Sequence, residues 1–202
     1  MNTKIITISR EFGSGGRSIG KAIAKQLDIP YYDKELVKQV ALETKFDEKY
    51  IEDAGEYSPG ATSLSYWLPF TGSDGFMGGL SPASFLWVMQ RKVILDIAEK
   101  GPCVIVGRCA DFILKDRDDC FHVFVHADMD FKADRIVRLY GQTEKTPEER
   151  LSEKDKKRSI NYKHFTGREW GKSQNYHLSL NSGKIGIDAC VETVIRLTAE
   201  VK

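Results

Sequence analysis

Ile5-Ile6-Thr7-Ile8-Ser9-Arg10-Glu11-Phe12-Gly13-Ser14-Gly15-Gly16-Arg17-Ser18 is the stretch whose reading decides the fold. Lys4 to Ile8 is apolar and β-branched, the pattern of a buried strand. Gly13, Ser14, Gly15 and Gly16 interrupt it, and from Ser18 to Leu27 apolar residues return at helical spacing, at Ile19, Ala22, Ile23 and Leu27. The opening of the chain therefore reads as strand, glycine loop, helix.

A loop of this kind can wrap backbone N–H groups around a phosphate, and the helix N-terminus adds a favourable dipole. Glycines let the backbone approach the anion and take positive φ. The bland alternative is a tight turn that needs glycine for geometry alone. The strand before it and the helix after it favour the phosphate reading. The motif is not a strict GxxxxGK[ST]. Arg10 takes the place of the first glycine and Gly16 the place of the lysine. Ser18 could ligate Mg²⁺ as a P-loop hydroxyl does, and Arg17 offers fixed positive charge.

Outward from the loop, strands and helices alternate. Tyr31 and Tyr32 begin a short strand or turn, and Asp33 can cap a helix through Leu36, Val37, Val40 and Ala41. A short helix is expected at 47–56. The stretch from Tyr57 to Pro82 carries five glycines and three prolines, interrupted by Tyr66, Trp67, Phe70 and Phe76. These aromatics suit base stacking, a satellite core or a subunit interface. A helix starts at Ser81 or Ser84 and stops at Gly101-Pro102. Cys103 to Val106 is a strand ending in Gly107-Arg108. Phe121 to Val125 is a strand, followed by a helix from Asp130 to Tyr140 capped near Asp128. Residues 147–163 form a charged helix, His177 to Asn181 a last strand, and Ile185 to Val201 a closing helix. Apolar strands alternating with helices predict an α/β doubly wound parallel sheet covered on both faces. Ligands in such sheets bind at the carboxyl ends of strands. Ser9 to Ser18, Gly107-Arg108 and Asn181-Ser182 should therefore share one rim.

The 202 residues suit one large domain. Lys plus Arg is 30 against 29 Asp plus Glu, so bulk charge gives no reason to expect nucleic acid or a membrane surface as partner. No apolar run approaches transmembrane length, and Met1 to Arg10 does not read as a signal peptide. A cytoplasmic protein with reduced core thiols at Cys103, Cys109, Cys120 and Cys190 is expected, since none form a CxxC pair.

From Ile6 to Gly16 the chain resembles the start of the cytidylate kinase-like family, relatives of cytidylate kinase among the P-loop nucleoside-monophosphate kinases. The resemblance runs nearly end to end. Tyr31-Tyr32-Asp33 resembles the segment that meets the monophosphate. Val104 to Arg108 resembles the strand and Gly-Arg pair that carries an arginine to the acceptor. Phe121 to Arg138 resembles the strand and arginine-bearing helix before the lid. Asp155-Lys156-Lys157-Arg158 resembles the lid's Asp-x-x-Arg, and Leu178 to Ser182 the final strand. Two departures stand out: Gly16 replaces the P-loop lysine, and Cys109 stands where cytidylate kinases place an aspartate, with Asp111 two residues on.

The resemblance implies a three-layer fold of P-loop kinase type over 1–202, with an acceptor-binding helical region at 33–100 and a lid region at 144–172. It implies ATP with Mg²⁺ and a CMP- or dCMP-like acceptor. Gly13, Ser14, Gly15, Gly16, Arg17 and Ser18 would hold the donor phosphates, and Ser18 the metal. Asp33, Arg108 and Asp111 would bind the acceptor. Arg158, oriented by Asp155, would stabilise the transferring group, with Arg17 or Lys21 standing in for the lysine.

Local chemistry leaves alternatives open. Eleven of the fifteen residues at 144–158 are charged, which also describes a solvated helix face; Lys163, His164 and Arg168 extend its basic end. Arg135 and Arg138 share a helix face and suit phosphates or a neighbour such as Asp134. Asp33 suits a helix cap, a sugar or an arginine. At the level of function, a kinase of small molecules, with a homodimer as one arrangement open to it, stands against a nucleotide-binding sensor without turnover. The missing lysine favours the sensor, and the lid arginines favour the kinase.

Overall fold

The computed structural model describes residues 4–44, 48, 51 and 80–200. The aromatic stretch 57–79 and most of the helix expected at 47–56 lie outside them. The described residues form one parallel five-stranded sheet in the order β2-β3-β1-β4-β5. The strands are β1 (Ile5–Arg10), β2 (Tyr31–Tyr32), β3 (Cys103–Val106), β4 (Cys120–His126) and β5 (Leu178–Asn181). The helices are α1 (Gly16–Leu27), α2 (Lys34–Thr44), α3 (Pro82–Glu99), α4 (Ala110–Ile113), α5 (Met129–Tyr140), α6 (Pro147–Thr166), α7 (Ser182–Ile185) and α8 (Ile187–Glu200).

Alternation along β1 separates two cores. Ile6 and Ile8 face α1 and α8, packing with Val104, Val106, Val123, Val125, Ile19, Ile23, Val191 and Val194. Ile5 faces the other way, toward α2 and α3, with Ile105, Leu36, Val40, Ile94 and Ile97. Both faces of the sheet are thus covered, which is why its central strands are nearly continuous apolar runs. All four cysteines are free and buried. Burial pushes the Cys103 and Cys120 thiols up to about 12.

Helix boundaries follow local chemistry. Ser81 caps α3, its hydroxyl accepting from the Ser84 N–H. Thr146 and Glu149 form a reciprocal capping box on α6. The closing helix expected from Ile185 begins at Ile187, because Gly186, with φ +84°, ends the separate short helix α7 just before it. The four-residue α4 is too short to leave a periodic signal.

The second face of β1 becomes polar toward its end. Thr7 Oγ1 lies 2.8 Å from His122 Nδ1, and Ser9 donates to Asp111 at 3.0 Å. His122 stacks on His177, and neighbouring Phe124 packs against Trp170 and Tyr176. Burial, then His177 and Arg168, push the His122 imidazole down to about 4. It is therefore neutral in the folded protein at pH 7. In the unfolded chain it titrates near its ordinary value, about 6.5. Its contribution is complete above that pH and is lost as pH falls toward 4, to a total of about 3 kcal/mol. His122→Gln should therefore flatten the loss of stability between pH 7 and pH 4.5 in urea melts. Equal slopes in the two proteins would show that His122 is not the group responsible.

Candidate active site

Because the sheet is parallel, Ser9 to Ser18, Gly107-Arg108 and Asn181-Ser182 leave their strands on one edge, as expected. Two clefts open there. The first, about 410 Å³, is lined by Arg10 to Gly13, Gly15 to Ser18, Arg135, Leu139, Tyr140 and Arg158. The second, about 310 Å³, is lined by Ser9, Arg10, Gly107 to Cys109, Arg158, Asn161, Tyr162 and Trp170. Arg10 and Arg158 belong to both walls.

The glycine loop is held on three sides. From α5, Lys132 donates to Glu11 Oε2 at 2.8 Å. Gly13, with φ +82°, lies so close to α5 that a Cβ would stand 3.0 Å from the Lys132 carbonyl. From α6, Asp155 Oδ1 accepts the Phe12 N–H at 2.7 Å. From α7, the Ser182 hydroxyl bonds the Ser14 carbonyl, while Ser14 Oγ donates to the Glu11 carbonyl at 2.9 Å. The first intrahelical bond of α1 runs from the Ile19 N–H to the Gly15 carbonyl. The N–H groups of residues 16–18 precede it, at the helix end that lines the first cleft. Positive φ at Gly13 and Gly15, +82° and +86°, shapes the turn before them. Backbone N–H groups at a helix start are the kind of donors that can hold an anion.

The candidate residues separate on this frame. Arg17 lines the loop cleft, but its guanidinium pairs with Asp33 at 2.9 Å. Asp33 thus orients an arginine, one of the roles open to it. Ser18 sits at the mouth, its Oγ accepting from Arg135 at 2.8 Å. Arg138, one turn on, pairs with Asp134 in solvent. Arg158 is only 7% exposed, donates to Asp155 at 3.3 Å and lies over the Phe12 ring. Burial pushes the Asp155 carboxyl above the usual carboxylate range, while the Phe12 N–H, Arg158 and Lys132 oppose the shift.

Arg108 is also buried, in a left-handed run. Gly107, Arg108 and Cys109 have φ of +74°, +57° and +55°. Two consecutive non-glycine residues there store strain, of order 1–3 kcal/mol each. Arg108 Nη1 donates to the Ile51 carbonyl, and its own carbonyl accepts from Gln90.

Asp111, an acceptor ligand by the resemblance, is 2% exposed and lines neither of these two clefts among the described residues. One oxygen accepts from Ser9 and the other from Tyr162 at 2.7 Å, so it bolts α6 to β1. Burial raises its carboxyl above the usual range, against the pull of Tyr162 and Ser9. Sequence reasoning did not assign Asn161, Tyr162 and Trp170 to the second cleft, because nothing in their spacing separates them from helix surface and loop. Asn161 Oδ1 is buried with no hydrogen-bond partner among the described residues.

A parallel sheet with this strand order, a glycine loop after β1 and a helix packed beside that loop is the architecture of P-loop kinases. A shikimate kinase from Acinetobacter baumannii aligns over 99% of this chain and 95% of its own, at 14% identity and TM-score 0.54. A gluconokinase from Sinorhizobium meliloti aligns over 99% and 95%, at 13% identity and TM-score 0.54. An uncharacterized protein from Eubacterium ventriosum is more similar, at 28% identity and TM-score 0.72 over 96% and 98%. The cytidylate kinase-like family matches residues 5–184, and the chain belongs to that family. No curated protein matches it. Among the described residues no helix is long and apolar enough to cross a membrane.

Proposed function

We propose that the protein transfers the γ-phosphoryl group of ATP to a small acceptor, a nucleoside monophosphate of the CMP or dCMP type or a related molecule. One observation carries this reading: the two clefts meet, with buried Arg10 and Arg158 in both walls. Phosphoryl transfer needs a donor and an acceptor on either side of a shared cationic border, held in line. A module that only binds one nucleotide has no use for the second cleft.

In this reading the N–H groups of residues 16–18 hold the donor phosphates, with Arg135 beside them. Ser18 Oγ is the metal-facing hydroxyl, and Mg²⁺, when bound with ATP, offsets charge on the phosphate oxygens. Arg108 anchors the acceptor in the second cleft, where Asn161 Oδ1 offers a hydrogen-bond acceptor. Arg158 supports the charge that spreads over the transferred group. Arg17, paired with Asp33, shapes the entrance from the acceptor side.

The test is turnover with ATP and Mg²⁺ against a panel of nucleoside monophosphates and small polyols, with a no-acceptor control and product read directly. Acceptor-dependent turnover, reduced in Arg108→Ala chiefly through a higher KM for the acceptor, is the expected result. Nucleotide binding without turnover on any acceptor would favour the sensor, the reading to which Gly16 in the lysine's place points.

A further inference from the structure

A P-loop needs a cation at the donor phosphates, and position 16 has no side chain to supply it. Arg10 fills the space instead. A Cβ on Gly16 would stand 2.5 Å from Arg10 Cβ and 2.9 Å from its Cγ. The arginine stem therefore runs across the end of the loop, over the residue that replaces the lysine. Its guanidinium ends against Gly107, where a Cβ would stand 2.0 Å from Nη1 and 2.9 Å from Cζ. Two glycines 91 positions apart, one opening α1 and the other following β3, leave room for one side chain. Arg10 is 5% exposed, and it lies in the wall of both clefts. Neither Arg17, tied to Asp33, nor Arg135, tied to Ser18 at the mouth, spans that border.

We propose that Arg10 supplies the cation of the missing P-loop lysine, reaching the transferred phosphate from the first position of the loop, and that Gly16 and Gly107 are glycine to admit it. The inference rests on the kinase reading. It explains why the two departures at positions 10 and 16 occur together: a lysine at 16 and an arginine at 10 would compete for one volume. An arginine in this place offers a planar fork of donors where lysine offers a point charge. That geometry suits a border between two phosphates.

The experiment uses the full chain and four variants: Arg10→Gln, Arg10→Lys, Gly16→Lys, and the double exchange Arg10→Gly with Gly16→Lys. Two readouts are taken, calorimetric binding of inorganic tripolyphosphate and of ATP, and turnover on the best acceptor. Arg10→Gln should weaken tripolyphosphate binding about tenfold or more and lower kcat about a hundredfold. Gly16→Lys should lose both by crowding Arg10. The double exchange should recover at least tenfold of each loss over the worse single variant, because it restores one cation in one volume. If Arg10→Gln does not fold, Arg10→Lys and the double exchange decide the matter, and both should bind tripolyphosphate better than Gly16→Lys. Wild-type binding and kcat in a folded Arg10→Gln, or a double exchange no better than Gly16→Lys, would overturn the assignment while leaving the kinase reading intact. Absence of turnover in the wild type with Arg10-dependent tripolyphosphate binding would instead sink the kinase reading and keep Arg10 as the phosphate cation.

Discussion

Arg158→Ala is expected to lower kcat by about 10³-fold or more while ATP affinity changes less than about tenfold. Arg158 lines both clefts from α6, so in the proposed reaction it would stand beside the group in transit more than beside either bound end. Charge on the transferred group spreads over its equatorial oxygens only during transfer, so an arginine aimed there acts mainly on the transition state. The side chain is held in place: Asp155 accepts its Nη1, and the Phe12 ring lies beneath it. Little conformational entropy is left to lose when the phosphate arrives. Arg158→Lys should fall between the two, since lysine keeps the charge and loses the fork. Steady-state kinetics with calorimetric ATP binding makes the check. Equal losses in kcat and in binding would make Arg158 a ground-state anchor.

Asp111→Ala is expected to destabilise the fold by about 3 kcal/mol, a drop in Tm of about 6–12 °C for a chain of this size. The substitution leaves the Tyr162 hydroxyl and Ser9 Oγ without their carboxylate, in a region closed to water. Leaving buried donors unpaired costs more than the net worth of the bonds themselves. Tyr162→Phe removes one of these bonds, so the double variant should cost less than the sum of the two single changes. Thermal melts of the three variants check this. Strict additivity would show that Asp111 and Tyr162 are not coupled, and a loss confined to acceptor KM with Tm unchanged would make Asp111 an acceptor ligand.

Much of this site is legible in the residues. The β-branched run Ile5 to Ile8 with Gly13 to Gly16 behind it reads as strand and phosphate loop, because both periodicity and glycine content are local properties. Ser81 and Asp128 read as helix starts for the same reason. Arg135 and Arg138 do not separate on the page: three residues apart, they share a face. A turn of helix carries Arg138 about 4.5 Å further from the loop, and it meets Asp134 while Arg135 meets Ser18. Asp111 reads as an acceptor ligand because it stands two residues after a Gly-Arg pair. The left-handed run at 107–109 and the short α4 carry it instead beneath the rim, toward Ser9 and Tyr162.

By itself the sequence determined the class of sheet, the strand ends that share a rim, the glycine loop after the first strand and the family. These depend on hydrophobic period, chain order and a nine-residue motif, all of which act over short distances along the chain. Only the tertiary structure decided which cations face the clefts. Arg17 lines one cleft while pairing with Asp33, and Arg108 lines the other while bonding the Ile51 carbonyl; Arg10, noted in the sequence only as a departure, runs between two glycines and lines both. A side chain's direction depends on the volume left by residues a hundred positions away. At Arg10 that volume is the missing Cβ of Gly107, which no local pattern encodes.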